Sequence, residues 1–372
     1  MSLPSSLTDG SVDLSIVVPT FNEKENIRDL VAGLDAALSG VRWEVIFVDD
    51  DSPDGTASVV RELARSDRRV RCIQRIGRRG LSTACVEGML ASSAPYLAVM
   101  DADLQHDETV LPAMLDLLKQ GTTDLAVGTR YASGGSTGVW NPRRVSMSRF
   151  ATTLSRFMMR VNVSDPMSGF FMLRRQTLDD TVRQLSGIGF KILLDIIASS
   201  PSSIRIAEVP YTFRNRHAGV SKLDSVAVWE YGMLLADKMV GRYVPIRFLS
   251  FAVVGGLGVL VHFAVLTIML QGFHTRFPVS QGSATFVAMV FNFTVNNALT
   301  YRDRRLHGLR WLSGLATFIL ACSIGAFANV GIATYLFETR VEWVLAALSG
   351  VIVGAVWNYV VTQVYTWGHP HR

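Results

Sequence analysis

The chain changes its hydrophobic pattern once along its length. Up to about residue 128, short apolar runs alternate with segments whose apolar residues recur every three or four positions. Leu14–Pro19, Glu44–Val48, Val70–Arg75, Tyr96–Met100 and Asp124–Val127 read as strands. Between them, Glu25–Leu38 places Ile27, Leu30, Val31, Leu34 and Leu38 on one helical face. Thr56–Ala64, Leu81–Ser92 and Val110–Lys119 read as further helices. Alternation of this kind predicts a mostly parallel sheet covered by helices on both faces.

After Pro245 the pattern becomes four long apolar stretches, roughly Phe248–Leu270, Val279–Thr300, Trp311–Phe337 and Trp343–Trp367, none with an Asp, Glu, Lys or Arg. Each reaches the ~20 residues a helix needs to cross a bilayer core. The loop Tyr301–Arg310 carries Arg302, Arg304, Arg305 and Arg310, and Lys238, Arg242 and Arg247 flank the first stretch. The two opposite loops carry one Arg each, Arg276 and Arg340. The excess of positive charge places the middle loop and both termini in the cytoplasm. Trp311, Trp343, Tyr365 and Trp367 fall at stretch ends, where amphipathic rings favour the interface. His262, Asn292, Asn296, Asn297, Asn329, Asn358 and Gln363 lie inside the stretches. They read either as interhelical hydrogen-bonding groups or as the lining of a path for a polar headgroup.

Charge follows the same division. Of 36 Lys+Arg and 31 Asp+Glu, the last 128 residues hold only 8 Arg and 3 acids, so the whole +5 excess lies in the apolar part. That distribution excludes a uniformly soluble enzyme, a disordered chain and a fibrous protein, and it removes nucleic acid as a partner. Cys72, Cys85 and Cys322 are too scattered for a disulfide framework or a CxxC metal site. The first apolar run is too short for a signal-peptide core, so the front is expected to stay cytoplasmic. The domains read as 1–220, a catalytic α/β domain; 221–244, an amphipathic interfacial helix and linker; and 245–372, a four-span membrane domain.

In sheets of this type ligands bind beyond the carboxyl ends of the strands. The polar clusters fall there: Pro19–Glu23, Asp49–Thr56 and Asp101–His106. Neither GxGxxG nor GxxxxGK[ST] is present in these turns, so dinucleotide and P-loop readings lose their support. Asp101, Asp103 and Gln105 share one face if the segment is extended. Two hard carboxylates suit Mg²⁺ or Mn²⁺ bridging a diphosphate. Asp49, Asp50 and Asp51 read as a solvated turn or as a site, and their mutual repulsion argues against a purely structural role. Between Asp124 and Asp165 there is no acid. Within Pro142–Val163, Arg143, Arg144, Arg149, Arg156 and Arg160 alternate with Met147, Phe150, Leu154, Phe157 and Val161, and Ser221–Val240 offers a second amphipathic segment. Both fit helices lying on an anionic leaflet or packed on the sheet. His106 and His217 read as satisfied or phosphate-adjacent groups rather than acid–base residues.

In order, VVPTFNE (17–23), VDDDSPDGT (48–56), MDADLQHDE (100–108), GTRYASGG (128–135), SDPMSGFFMLRR (164–175), GFKILLD (189–195) and VPYTFRNRHAGVSKL (209–223) resemble the inverting family 2 glycosyltransferases of the GT-A fold. Among these the strings are most similar to the dolichyl/polyprenyl-phosphate mannose synthases. FNFTVNNALTYRDR (291–304) resembles the small four-helix GtrA-like membrane proteins. The resemblance implies a Rossmann-like GT-A domain with an all-α transmembrane domain. By the same resemblance Pro19, Phe21, Glu23 and Asp50 hold the donor nucleoside. Asp101, Asp103 and Gln105 hold the metal, and Arg130, Arg144, Ser148, Arg214 and Lys222 face the acceptor phosphate. Asp103, Arg130 and Arg144 are the catalytic candidates. Phe21 stands where Tyr is frequent, and Ser82 where Gly is common.

The implied reaction moves mannose from GDP-mannose to a polyprenyl phosphate at the cytoplasmic membrane face, with inversion to a β linkage. The implied partners are these two substrates and membrane lipids, with room for a homo-oligomer through the membrane domain. A phosphate monoester carries a charge of about −1.5 to −2 near neutral pH, so the attacking oxygen needs no strong base. The alternatives are glucosyl transfer from UDP-glucose, a processive polysaccharide synthase, and a translocator of lipid-linked sugars whose front domain only binds sugar nucleotide.

Overall fold

The computed structural model describes residues 11–131, 163–186, 191–201, 204–214, 232–234, 236–237, 244–340 and 342–368. The chain divides into two compact units, residues 1–238 and 239–372.

In the first unit, β1 (Leu14–Thr20), β2 (Trp43–Asp49), β3 (Val70–Gln74), β4 (Tyr96–Val99), β5 (Leu125–Thr129), β6 (Phe171–Arg174) and β7 (Ile206–Pro210) form one sheet in the order β3-β2-β1-β4-β6-β5-β7. All pairings are parallel except those of β6, which runs antiparallel between β4 and β5. This inserted strand does not show in the alternating pattern, because its apolar run looks like any other buried strand. It has a direct consequence: the residues just before β6 arrive at the same sheet edge as those just after β4 and β5.

The helices α1 (Ile27–Ala37), α2 (Thr56–Ser66), α3 (Leu81–Leu90), α4 (Leu111–Lys119), α5 (Arg175–Thr181) and α6 (Ile192–Ser199) cover both faces. Successive strand residues point to opposite faces. Ile16, Val18, Val45 and Phe47 therefore join Leu30, Leu34 and Leu115 in one core, while Val17, Ile46, Val48 and Val99 join Cys85, Met89 and Ile196 in the other. Each fully buried Val, Leu, Ile or Phe contributes about 1.5–3 kcal/mol, which is what holds the strand ends rigid. The expected element boundaries shift by one or two residues, as in β4, which stops at Val99.

The second unit consists of α7 (Ile246–Thr267), α8 (Phe277–Val295), α9 (Leu309–Glu338) and α10 (Trp343–Tyr365), at the positions the apolar stretches predict. By length and composition, Ile246–Gly272 and Leu309–Asn329 are apolar enough to cross a membrane, with mean hydropathy 2.3 and 1.8. Leu257, Leu260 and Phe263 on α7 and Leu320, Ile324 and Phe327 on α9 turn outward, as lipid-facing side chains would. The turns at Ile268–Gly272 and Asn296–Thr300 widen to π-helix.

These helices pair as two hairpins, α7 with α8 and α9 with α10, and the hairpins repeat each other. Ser250, Phe251, Val254 and Gly258 of α7 correspond to Thr317, Phe318, Ala321 and Gly325 of α9, each 67 positions on. Ala284, Ala288, Asn292, Phe293, Thr300 and Tyr301 correspond to Gly350, Gly354, Asn358, Tyr359, Thr366 and Trp367, each 66 positions on. The contacts repeat as well. Ser250 Oγ lies 2.7 Å from Thr300 Oγ1, and Thr317 Oγ1 lies 3.1 Å from Thr366 Oγ1. The Phe251 ring meets Tyr359 at 5.8 Å, the Phe318 ring meets Phe293 at 5.7 Å, and Tyr301 stacks on Trp367 at 4.0 Å. A Cβ on Gly258 would collide with the Asn292 amide, and one on Gly325 with the Asn358 amide. Each asparagine thus packs on bare glycine backbone, where its Oδ1 has no conventional donor but meets the Cα–H groups.

This pairing makes a selective prediction. Gly258→Ala and Gly325→Ala should each destabilise the detergent-solubilised protein by about 1–3 kcal/mol through overpacking. Gly255→Ala and Gly256→Ala, which face open space, should not. Thermal unfolding of the four variants checks this, and an equal response from all four would contradict the hairpin packing.

Candidate active site

The carboxyl ends of β1, β2, β3, β4, β5 and β7 and the approach to β6 all lie on one edge of the sheet. The strand order reverses between β1 and β4, the place where open α/β sheets form a crevice.

On the β1–β2–β3 side the three consecutive acids have three different fates. Asp49 is fully buried and accepts hydrogen bonds from Thr20 Oγ1 (3.1 Å), Ser52 N (2.9 Å) and Ser52 Oγ (2.6 Å). Asp51, at φ 56°, accepts from Gln74 Nε2 at 2.6 Å. Asp50 accepts from Arg75 Nε (2.7 Å) and Gly80 N (2.7 Å). Arg75 is itself buried and also donates to Thr83 Oγ1 (2.8 Å) and Gly80 O (2.7 Å). The repulsion anticipated for these acids is therefore met for Asp49 by Ser52 in the turn and Thr20 on β1, and for Asp51 by Gln74 at the end of β3. Asp50 alone is tied to the 75–80 loop. Above that loop the Arg79 guanidinium lies over the Phe21 ring at 4.5 Å. Ser82 is buried in the first turn of α3. Asp54 accepts from Thr56 N, Thr56 Oγ1 and Lys24 N. Burial opposes its charge, but these bonds prevail and lower its pKa. Glu23 accepts from Asn26 Nδ2 at 2.8 Å, which joins the β1 turn to α1.

Beyond β4 the chain is not extended. Leu104 adopts φ 59° and the 102–104 segment bends, so Asp101, Asp103 and Gln105 do not share a face by strand alternation. Asp103 turns inward and caps Gln105 N at 3.2 Å. Gln105 Nε2 donates to Arg214 O (3.1 Å), and Arg214 N donates to Gln105 O (2.9 Å). Asp101 keeps 39% of its side-chain surface open, with Oδ2 at 3.1 Å from His106 Nε2. Desolvation acts to raise the Asp101 pKa, but the His106 hydrogen bond and the Lys191 and Arg130 charges outweigh it and hold the group below its usual range. Gly169, just before β6, passes so close that a Cβ there would lie 2.8 Å from Asp101 Oδ2.

After β5, Arg130 makes a two-pronged pair with fully buried Asp165: Nε to Oδ2 at 2.7 Å and Nη2 to Oδ1 at 3.0 Å. Burial opposes the guanidinium charge, yet the Asp165 carboxylate more than compensates and its pKa is raised. The same guanidinium lies 5.2 Å from the Phe213 ring. Arg214 pairs with Asp107 (2.7 Å) and Glu108 (2.8 Å).

The expected site residues Pro19, Phe21, Glu23, Asp50, Asp101, Asp103, Gln105, Arg130 and Arg214 thus all lie on this edge. Arg144, Ser148 and Lys222, with His217 and most of the two amphipathic segments, lie outside the described residues. Sequence reading missed Arg75, Asp165, Gly169 and Tyr211 as partners of named residues. Asp165 and Gly169 sit in the quoted SDPMSGFF string and Tyr211 in VPYTF, but the pairings span the fold. Among the described residues no three His, Cys, Asp or Glu side chains gather as a metal cage.

The sheet order and the family match that follows define a glycosyltransferase of the GT-A fold. Residues 15–182 match the glycosyl transferase family 2, and residues 250–367 match the GtrA/DPMS transmembrane domain. The dolichol-phosphate mannosyltransferase of Pyrococcus furiosus is 33% identical over 95% of this chain and 99% of its own length. That of Saccharomyces cerevisiae is 37% identical over 63% of this chain and 89% of its own. A solved structure of glucosyl-3-phosphoglycerate synthase from Mycobacterium tuberculosis with Mn²⁺, UDP-glucose and phosphoglyceric acid is 16% identical, covers 61% of this chain and 79% of its own, and gives a TM-score of 0.47. The chain belongs to the family 2 glycosyltransferases, as a dolichyl-phosphate-mannose-synthase-like member fused to a GtrA-like membrane domain.

The Asp50–Arg75 tie is testable through stability. Arg75→Met leaves Asp50 without its buried partner and should cost about 3–5 kcal/mol in chemical denaturation. Arg28→Ala, which breaks an exposed pair with Glu62, should change the midpoint little. Equal effects would mean that Asp50 finds its compensation in solvent.

Proposed function

We propose that this chain transfers one mannosyl residue from GDP-mannose to a polyprenyl (dolichyl-type) phosphate at the cytoplasmic face of a membrane, giving polyprenyl-phosphate β-mannose. The observation that carries the reading is the meeting of Asp101, Asp103 and Arg130 on one sheet edge, in a chain with a GtrA/DPMS transmembrane domain. Support for the substrates comes from the relatives named dolichol-phosphate mannosyltransferase, one of them matched along nearly its whole length. The arginine-rich middle loop supports the cytoplasmic placement of that loop and of both termini.

Pro19, Phe21, Glu23 and Asp50 hold the nucleoside. Phe21 offers a ring already faced by the Arg79 cation, and Arg75 keeps the Asp50 carboxylate fixed. Asp101 and Asp103, with Gln105 beside them, hold the divalent ion. Two carboxylates without a full cage fit Mg²⁺ or Mn²⁺, which take one or two protein carboxylates and complete their shell with water and substrate phosphates. When bound, the ion neutralises the leaving diphosphate. Arg130, locked by Asp165, presents its charge to the acceptor phosphate, together with Arg144, Ser148 and Lys222. Arg214, anchored by Asp107 and Glu108, borders the same place. The attacking phosphate oxygen is already anionic, so the protein's work is to bring two anions together in line, and no side-chain base is required. Direct displacement inverts an α-linked donor to a β-linked product.

Purified protein with labelled GDP-mannose, Mg²⁺ or Mn²⁺ and a polyprenyl phosphate should yield one mannose per lipid, and UDP-glucose should yield none. Asp103→Ala should lower kcat/KM by about 100-fold or more. Transfer from UDP-glucose in place of GDP-mannose would overturn the sugar assignment. Polymer formation would overturn single transfer, and an unimpaired Asp103→Ala variant would remove the carboxylate site.

A further inference from the structure

We propose that His106, itself fixed by Tyr211, is a positioning residue that holds the Asp101 carboxylate in the orientation required to grip the donor's divalent cation. This rests on the reading of Asp101 as a cation-binding carboxylate.

His106 is almost fully buried, yet both of its ring nitrogens are engaged. Nε2 lies 3.1 Å from Asp101 Oδ2, and Nδ1 lies 2.8 Å from Tyr211 Oη. The Asp101 carboxylate only accepts, so Nε2 carries the hydrogen of this bond. Burial keeps the Tyr211 phenol protonated by pushing its pKa up. The phenol then donates to Nδ1, and the assignment that satisfies all three groups is one directed line, Tyr211 to His106 to Asp101. Rings close it on the other sides: Phe170 at 5.2 Å and Phe213 at 5.6 Å from the imidazole. Beside Asp101 Oδ2, Gly169 leaves no room for a Cβ. Oδ2 is thus bracketed between an N–H donor and a backbone wall.

The line joins two strand ends that are far apart in sequence, Asp101 beyond β4 and Tyr211 beyond β7. The Tyr211 amide also donates to Thr129 O at 3.1 Å, one residue before Arg130. Groups that orient a metal's ligands typically change metal affinity or activity about 10–100-fold when removed. Here the usual polarity is reversed, with a histidine orienting a ligating carboxylate.

The test is Mn²⁺ binding to the full-length protein in the presence of GDP, read by the EPR signal of the free ion, alongside steady-state transfer kinetics. His106→Leu should weaken Mn²⁺ binding about 10–100-fold. His106→Gln, which keeps an N–H near the Nε2 position, should recover most of that loss. Tyr211→Phe, which keeps every carbon of the ring, should weaken it several-fold. In all three kcat should fall in step while KM for polyprenyl phosphate holds. Wild-type Mn²⁺ affinity in Tyr211→Phe and His106→Leu, with Asp101→Asn losing it, would overturn the positioning role and leave the cation reading standing. Unchanged Mn²⁺ binding in Asp101→Asn would overturn the cation reading and the inference together. Should His106→Leu not fold, Tyr211→Phe decides alone.

Discussion

Negative charge gathered at one sheet edge has to be held there against its own repulsion, and the arrangement of partners for it organises the whole first unit. Asp49, Asp50, Asp51, Asp101, Asp103 and Asp165 all sit at or beside the strand ends on that edge. Each has a dedicated counterpart: a hydroxyl and an amide for Asp49, Arg75 for Asp50, Gln74 for Asp51, His106 for Asp101, the Gln105 amide for Asp103 and Arg130 for Asp165. Buried charges persist only when paired and hydrogen-bonded. Asp49, Asp51 and Asp165 are spent on structure, whereas Asp101 keeps part of its side-chain surface open beside its bond to His106.

The antiparallel insertion of β6 makes that arrangement possible. Running against its neighbours, it delivers Asp165, Ser168 and Gly169 to the carboxyl edge from the opposite direction. Asp165 pairs with Arg130 and fixes its orientation. Ser168 Oγ donates to Gly128 O at 2.7 Å, which pins the β5 end. Gly169 gives Asp101 the room it occupies. The groups beyond β4 and beyond β5 are thereby braced by a single short strand, and the aromatic cluster of Phe170, Tyr211 and Phe213 joins them.

The membrane unit answers a different constraint. In an apolar solvent helices gain little from hydrophobic burial against one another, so small residues, hydrogen bonds and close packing must hold them. The repeated hairpin applies one solution twice: a glycine under an asparagine, a hydroxyl pair, and crossed aromatic contacts. Asn292, Asn296, Asn297 and Asn358 serve this packing. Asn297 Oδ1 accepts from both Leu306 N (2.8 Å) and Trp367 Nε1 (3.1 Å), and Asn296 Nδ2 donates to Asn292 O (2.9 Å).

The amino-acid sequence by itself determined the two-part organisation, the alternating α/β pattern, the positions of the four apolar helices and the turns that carry the chemistry. These are properties of neighbouring residues, legible as periodicity, composition and short strings. Only the tertiary structure decided which residues complete each other. Asp50 with Arg75, Arg130 with Asp165, and His106 with Tyr211 are separated by 25, 35 and 105 positions, and strand order alone brings them together. It also decided that residues 102–104 bend instead of extending. Leu104 takes a left-handed conformation that no local propensity favours, so the turn that aims Asp101 and Asp103 is imposed by the packing around it.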